Sequence, residues 1–429
     1  MPAMKWFVAL VVACAGLGGV SGCAQHDDPL GVTTVQQRDP FMETFGFTNE
    51  LKRNSANDRV SRQVIVAYAS DQPLNVQQQP FPVLYLLHDF DGDAGYFLRY
   101  GLQALLDDMY SKGEIGRMLV VMVDASNVFG GSYYRNADST TMYEEVITEL
   151  INHMEAPGSA YKVYTQAGPG ARAISGHGMG GYGALRYALD HPQVFSSISS
   201  LSGMLSIGDP SIPSGVWKDL VPNVMTESGV AAGDTSLYTQ IRLHADQPNT
   251  RMFLAMSSAF SPHPLRILDS VGCLRYKDPF RPIWYTICPW DFFSPLASGP
   301  RTIKFPGADT NGFGVDMIFD RTGQPDPAVW RLWHDSADVK TVFVNRRASN
   351  PTLFQDMPIY MDVGEDDELG YLEQNREFDA ALTAAGVAHD YEEYSGASGI
   401  SAGHSKLLMT RLRKIIKFHD QYLQRPPGL

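Results

Sequence analysis

The chain has 429 residues, with 34 Lys and Arg against 47 Asp and Glu, so its formal net charge is −13. Hydrophobic residues make up 44% and charged residues 19%, a globular composition rather than a disordered or fibrous one. The acidic balance, without a long basic run, argues against nucleic-acid binding, which depends on neutralising phosphates. Only the N-terminus carries a long apolar stretch, which excludes a membrane protein with several spans.

The N-terminus has the pattern of an export signal. Lys5 precedes an apolar run from Trp6 to Val20, and the small residues Ser21 and Gly22 follow this run. A charged start, a short apolar core and a small-residue end are typical of a signal peptide rather than a spanning helix. We therefore assign residues 1–22 to a signal peptide.

The end of this signal, Val20-Ser21-Gly22-Cys23, resembles the lipobox of bacterial lipoproteins. The resemblance implies that Cys23 is lipidated and becomes the mature N-terminus, which anchors the exported protein to a membrane of the bacterial cell envelope. The alternative is an ordinary secretory signal in which Cys23 has no role. The polar residues 23–57 suit a flexible tether. Two cysteines, Cys273 and Cys288, remain outside the signal, and whether they pair stays open because the sequence does not set their separation.

Strands and helices alternate through most of the remaining chain. The first predicted strand alternates apolar and polar residues, and the strands that follow up to residue 175 are apolar throughout, which predicts an α/β fold with a mostly parallel sheet covered on both faces. In chain order we predict strands at Val60–Ala69, Pro82–Leu87, Met118–Val123, Ala171–Ser175, Val339–Val344, Pro358–Val363 and Ala388–Tyr394, and helices through Leu102–Met109, Tyr143–Met154, Leu372–Ala385 and Lys406–Leu423.

The alternation of strands and helices is interrupted between residues 206 and 335. The stretch is rich in Pro, Gly and aromatic residues and is too apolar to stay solvated as a free linker. We therefore predict a domain core in two parts, 58–205 and 336–425, interrupted by a cap-like insertion packed over the sheet edge.

The most informative segment is Ser175-Gly176-His177-Gly178-Met179-Gly180, which follows an apolar strand and opens a helix. This is the context of the G-x-S-x-G nucleophile elbow, in which small residues flank a tight strand-to-helix turn. The central position here is Gly178, so the tip of the turn has no hydroxyl. Ser175 lies three residues early on the strand, and its side chain is not expected to reach the tip.

Several segments together resemble the esterase family of α/β-hydrolases, which includes S-formylglutathione hydrolases, feruloyl esterases, enterochelin esterases and mycolyltransferases. The resemblance rests on the elbow segment and on the motifs Leu84-Tyr85-Leu86-Leu87-His88, Gly130-Gly131-Ser132-Tyr133-Tyr134, Asp362-Val363-Gly364-Glu365-Asp366-Asp367 and Gly403-His404. They occur in the family's order of nucleophile position, acid and histidine. The resemblance implies an α/β-hydrolase fold and an ancestry in ester hydrolysis or acyl transfer.

The resemblance also implies site residues. His404 would be the general base facing position 178, and Asp367, rather than Asp366, would orient it. The backbone N–H groups of Met179 and of the Asp89-Phe90 loop would form the oxyanion hole. The family's oxyanion loop usually has glycine where this chain has Asp89. An inward carboxylate there would oppose a developing oxyanion, whereas an outward one would leave only the backbone to act; the sequence leaves both open.

The leading hypothesis is a pseudo-esterase that binds an ester, glycan or lipid-like ligand at the cell envelope. The alternatives are a slow hydrolase that activates water through His404 and Asp367, and a structural envelope protein that acts through the insertion. Asp89-x-Asp91-x-Asp93 only partly matches a calcium loop, since the glycine offset is wrong and Tyr100 replaces the expected glutamate. The sequence therefore predicts no metal site and no cofactor.

Overall fold

A computed structural model describes the greater part of the chain beyond residue 40. The described residues are 41–48, 59–71, 80–127, 129–137, 141–142, 144–156, 165–212, 214–229, 247–262, 266–268, 274–277, 284–287, 315–319, 324–396 and 399–425. The predicted signal peptide, Cys23, Cys273 and Cys288 lie outside these residues. Of the predicted tether, residues 41–48 are described, and they form a strand of the central sheet and not a flexible segment, because they pair with residues 59–66. No helix in the described parts of the chain is long and apolar enough to cross a membrane.

Eight strands form the central sheet. They are β1 Phe41–Thr48, β2 Arg59–Ala69, β3 Val83–Leu87, β4 Met118–Val123, β7 Arg172–Gly176, β8 Ser197–Leu201, β12 Ile359–Gly364 and β13 Asp390–Tyr394, in the order β1-β2-β4-β3-β7-β8-β12-β13. From β4 to β13 along this order, all pairings are parallel. At the other edge, β1 pairs antiparallel with β2, and β2 pairs antiparallel with β4. The remaining strands form small separate ribbons: β5 Asn136–Ala137 with β6 Thr141–Met142, and β9 Arg266–Leu268, β10 Leu274–Lys277 and β11 Trp284–Ile287.

Helices cover both faces of this sheet. They are α1 Tyr96–Arg99, α2 Leu102–Ser111, α3 Glu144–Glu155, α4 Met179–Asp190, α5 Leu220–Glu227, α6 Pro248–Phe260, α7 Pro327–Ser336, α8 Val339–Ser349, α9 Tyr371–Ala384 and α10 Leu408–Tyr422. One apolar core joins α2 and α10 to one face, and a larger core joins α3, α4, α6, α8 and α9 to the other. The strands β3 and β4, which are buried on both faces, are apolar along their whole length, as the sequence predicted, whereas β8 is rich in serine and β13 at the edge is polar. The α/β class is confirmed.

One predicted strand is wrong. Residues Val339–Val344 begin α8 instead, because the Asp338 side chain accepts the backbone N–H of Thr341 and so caps a helix. Val339, Val342 and Phe343 follow the i, i+3, i+4 spacing and are buried, whereas Val344 is 49% exposed. A run of β-branched residues suggested a strand, but the cap and the helical spacing of the buried residues decide the structure.

The described parts of the predicted insertion share the domain's main core. Val224, Phe253, Phe319 and Trp333 are buried in the same apolar cluster as residues of the central sheet. Phe253 stacks on Phe319 at a centroid distance of 4.7 Å. The insertion is therefore built into the domain on the side of the sheet that carries α4 and α9. The central sheet itself resumes only at β12, because α8 occupies the position of the predicted strand.

Candidate active site

The sharp turn between β7 and α4 lies at the carboxyl edge of the sheet. His177 N–H donates to the carbonyl of Leu87 at 3.1 Å, and Gly178 N–H donates to the carbonyl of Leu201 at 2.8 Å, so the ends of β3 and β8 clamp the turn. A Cβ on Gly176 would lie 2.3 Å from backbone atoms of Gly180. The glycines predicted to flank an elbow are therefore required by the close approach of strand and helix.

Gly178 stands at the tip of this turn, with φ +52° and ψ −112°. Side chains rarely adopt a positive φ, and elbow nucleophiles do so under strain. A Cβ added here would lie 1.9 Å from Oδ1 of Asp89 and 2.4 Å from its Cγ. The space that a nucleophile's side chain needs is therefore filled by a carboxylate that comes from the end of a different strand.

The buried Asp89 carboxylate makes two backbone hydrogen bonds at this position. Its Oδ1 accepts the N–H of Met179 at 2.8 Å and the N–H of Phe90 at 2.7 Å. These are the donors that the sequence predicted for an oxyanion hole, and the structure brings them together on the side chain of Asp89. Of the two orientations that the sequence left open for Asp89, the structure has the inward one.

The loop that carries Asp89 is anchored on both sides. His88 Nδ1 lies 2.7 Å from the carbonyl of Asp89, and His88 Nε2 lies 2.8 Å from the backbone N–H of Ala125, so the first nitrogen donates and the second accepts. Asp91 forms a salt bridge with Arg251 of α6 at 2.5 Å. These contacts hold the loop so that the Asp89 side chain points into the elbow.

His404 lies between two carboxylates. Its Nδ1 is 2.9 Å from Oδ2 of Asp367, and its Nε2 is 3.0 Å from Oδ2 of Asp89. Burial opposes the charged imidazole, but the carboxylates on either side raise the pKa of His404 to about 10. Burial likewise opposes ionisation of Asp89, yet charged His404 holds the pKa of that carboxyl well below its usual range. In this arrangement His404 is an imidazolium at neutral pH.

A second histidine completes the group. His177 is fully buried, its Nε2 lies 3.0 Å from the carbonyl of His404, and its Nδ1 lies 3.0 Å from the hydroxyl of Tyr96 and 3.5 Å from Oδ2 of Asp89. The carbonyl can only accept, so His177 donates from Nε2 and its Nδ1 carries a lone pair. Burial lowers the pKa of His177 to about 3, which keeps it neutral. We call Asp89, His177, Asp367 and His404 the elbow site.

The structure places the predicted site residues as follows. Asp367 contacts His404, whereas Asp366 accepts the backbone N–H of Ala402. Ser175 accepts a hydrogen bond from Ser199 inside the core and does not reach the elbow tip. The sequence missed the convergence of Asp89 and His177 on His404. These three residues lie far apart in the chain. The one available signal was that Asp89 and His177 each follow the end of a predicted strand and that His404 lies in the histidine motif, because the ends of parallel strands meet at one edge of the sheet.

Strands β3, β7 and β12 all end at this edge, and the elbow, the acid and the histidine follow in that order. This arrangement defines a protein of the α/β-hydrolase type. A solved ferulic acid esterase superposes with a TM-score of 0.51 at 16% identity, over 90% of this chain and 100% of that one. At this identity the likeness shows the fold alone, and the fold is the predicted α/β-hydrolase fold.

The family follows from the sequence comparison. The Esterase family model, described as “Putative esterase”, matches residues 67–412. This chain therefore belongs to that esterase family, as its motifs indicated. It is also 30% identical over 205 residues to Esterase Rv1288 of Mycobacterium tuberculosis (strain ATCC 25618 / H37Rv) and to Esterase MT1326 of strain CDC 1551 / Oshkosh. These matches cover 45% of this chain and 42% of each relative, so the chain spans less than half the length of those relatives.

Proposed function

We propose that this chain is a pseudo-esterase, a ligand-binding member of the esterase family that does not turn over esters. The observation that carries the proposal is the Asp89 carboxylate, whose Oδ1 accepts both backbone N–H groups at the elbow. In an active esterase such donors stabilise the negative oxygen of the tetrahedral intermediate. Here they already bind an anion, and Gly178 offers no nucleophile.

The same carboxylate argues against a water-based mechanism. An activated water would have to lie between Gly178 and His404 and lose a proton to His404 Nε2. That nitrogen instead contacts Asp89 at 3.0 Å, and a protonated imidazole cannot act as a general base. Serine hydrolases that lack triad members retain only about 10³–10⁴-fold catalysis over water. Much of this remaining rate enhancement depends on an open oxyanion hole. The contacts at the elbow therefore favour binding over slow hydrolysis.

A cleft beside the elbow site is the place we propose for the ligand. It runs between α5, α6 and the start of α9. Its lining combines apolar side chains, among them Met252, Met256 and Tyr371, with polar ones such as Asn249 and Glu368. The Tyr371 ring packs edge-on against His404 at a centroid distance of 5.4 Å, so the cleft adjoins the former catalytic centre. Flexible methionine side chains suit an apolar ligand of variable shape. The apolar side chains would contact the chain of a lipid-like or aromatic ester, and the polar ones its hydrogen-bonding groups.

The place of action that we propose is the bacterial cell envelope. The support is the signal-like start of the chain and the lipobox-like Val20–Cys23, through which acyl chains on Cys23 would hold the domain at a membrane. The part of the polar segment 23–57 that precedes β1, residues 23–40, would separate the domain from the bilayer. Metabolic labelling of the expressed full-length chain with a clickable fatty acid, compared with Cys23→Ser, tests the anchor, and equal labelling of both would refute it.

Turnover and binding are tested on the same protein. We expect no hydrolysis of p-nitrophenyl acetate above that of His404→Ala, and no covalent labelling by a fluorophosphonate probe. Hydrolysis by the wild type that His404→Ala abolishes would refute the pseudo-esterase.

Binding is measured by saturation-transfer NMR with p-nitrophenyl butyrate, methyl ferulate and a soluble β-glucan fragment. We expect the butyrate ester to bind and to be recovered intact. Met252→Lys, which places a charge in the cleft, should weaken its binding at least tenfold. Leu332→Lys is the matched control, because Leu332 is 48% exposed on α7 and does not line the cleft. Equal binding by both variants would refute the cleft as the ligand site.

A further inference from the structure

Three metal-ligand atoms converge in the elbow site. They are Oδ2 of Asp89, Nδ1 of His177 and Nε2 of His404, which all lie within 4.8 Å of one another in buried residues. Oδ2 is 3.0 Å from the His404 nitrogen and 3.5 Å from the His177 nitrogen. Ligand atoms about 2.0–2.1 Å from a tetrahedral Zn²⁺ are themselves about 3.3 Å apart. The two distances to Asp89 are therefore close to those of a metal centre, and the two imidazole nitrogens, within 4.8 Å of each other, would move closer together around an ion.

The outer contacts orient both rings for a metal, and the Tyr96 hydroxyl, 3.0 Å from His177 Nδ1, would turn away when the ion binds. His404 donates from Nδ1 to Asp367, and His177 donates from Nε2 to the carbonyl of His404. Metal-binding histidines almost always donate their second ring N–H to a carboxylate or carbonyl in this way, which sets the tautomer and orients the ring. Both rings in the elbow site thus have the second-shell partners of metal ligands.

The charges also favour a cation at this point. His177 Nδ1 lies 3.5 Å from Oδ2 of Asp89, and both atoms carry lone pairs that a cation between them would bind. The carboxylates of Asp89 and Asp367 lie on either side of His404, 3.0 Å and 2.9 Å from its two ring nitrogens. A divalent ion bound to Oδ2 and to two neutral imidazoles would neutralise both carboxylates. The Asp89 side chain keeps 12% exposure, which gives the site an approach from solvent.

We propose that Asp89, His177 and His404 bind one divalent transition-metal ion, with Zn²⁺ as the best fit. Two imidazole nitrogens and one carboxylate suit Zn²⁺, Co²⁺ or Fe²⁺, and not the all-oxygen shells of Mg²⁺ or Ca²⁺. Asp89 binds through Oδ2 while Oδ1 stays on the N–H groups of Phe90 and Met179, so the proposal is independent of the pseudo-esterase function. The ion takes the place of the proton that otherwise joins Asp89 to His404.

The test is metal binding by the chelator-treated, folded full-length protein. We expect one equivalent of Co²⁺ per chain in isothermal titration, visible d–d absorption bands of a low-coordinate site, displacement of Co²⁺ by Zn²⁺ and no competition by excess Mg²⁺. Asp89→Asn removes the negative charge with little change in size, and His177→Gln keeps a polar side chain without a ring nitrogen, so each should weaken Co²⁺ binding at least 100-fold. Asp367→Asn, which removes a second-shell acceptor, should weaken it about 10–100-fold.

His389→Ala is the matched control. His389 contacts the Asp379 carboxylate at 2.7 Å and the Val387 carbonyl at 2.9 Å, so it has the same kind of partners but no second imidazole in that group. This variant should bind Co²⁺ like the wild type. The proposal is overturned if the wild type binds less than one equivalent, or if Asp89→Asn and His177→Gln bind as tightly as it does. Circular dichroism shows that each variant is folded; if one unfolds, the other carries the test.

Discussion

Restoring a serine at position 178 tests how Asp89 and Gly178 depend on each other. In Gly178→Ser, the new Cβ would lie 1.9 Å from Oδ1 of Asp89, closer than real Cβ contacts permit, so the carboxylate must leave. It then loses two charge-assisted hydrogen bonds, worth roughly 1.5–3 kcal/mol each. A non-glycine residue at positive φ costs about 1–3 kcal/mol more. We expect Gly178→Ser to be destabilised by at least about 4 kcal/mol, a large part of a typical stability of ~5–15 kcal/mol.

The same reasoning predicts the activity of the variants. Gly178→Ser alone should have little or no esterase activity, because the displaced carboxylate stays next to the hole and opposes the oxyanion. Asp89→Gly/Gly178→Ser removes the clash, opens the hole to substrate and leaves His404 oriented by Asp367 alone. A single oxyanion-hole donor contributes about 10²–10³-fold to kcat. We therefore expect kcat/KM of the double variant to exceed that of Gly178→Ser by at least about 100-fold.

The assay is p-nitrophenyl acetate hydrolysis, with fluorophosphonate labelling of the introduced serine read by mass spectrometry and stability read by urea unfolding. Asp89→Gly alone should be inert, and adding His404→Ala to the double variant should abolish its turnover. Equal kcat/KM for Gly178→Ser and the double variant would show that Asp89 does not block the hole. A folded double variant without turnover or labelling would refute the alignment of base and hole donors described above.

Three further predictions concern stability. The pKa of His404 is about 10 in the folded protein, above its unfolded value of ~6.5. Its contribution to the free energy of unfolding of the metal-free protein is therefore complete below pH ~6.5 and is lost as the pH rises through about 10. Urea unfolding between pH 6 and 10.5 should show this loss, and a pH profile like that of His404→Gln would contradict it. Asp362→Asn leaves a buried arginine without its ion-pair partner and should cost about 3–5 kcal/mol, against less than ~1 kcal/mol for Lys414→Ala at an exposed pair; similar unfolding free energies would refute this ranking. Phe343→Ala should cost about 3–5 kcal/mol and Val344→Thr under ~0.5 kcal/mol in thermal unfolding, whereas comparable losses would contradict the burial pattern of α8.

Much of the fold could be predicted from the sequence because its signals are local. Strands buried on both faces need unbroken apolar runs, and Met118–Val123 is recovered with both ends correct. The spacing of Leu102, Leu105 and Leu106 likewise marks a helix because one face of it is buried. The strand predicted at Val339–Val344 is wrong because β-branched propensity is a weak preference that a cap and tertiary packing override.

The sequence by itself also determined that the elbow has glycines at the close approach and no hydroxyl at its tip, since these are properties of consecutive residues. The tertiary structure alone decided which group occupies the position of the missing nucleophile side chain at Gly178. The direction of the Asp89 side chain depends on N–H groups from its own loop and from α4, and on a histidine 315 positions away in the chain. Carboxyl ends of parallel strands converge at one edge, so groups distant in sequence become neighbours there. The carboxylates that charge His404, and the burial that keeps His177 neutral, come together only once the chain has folded.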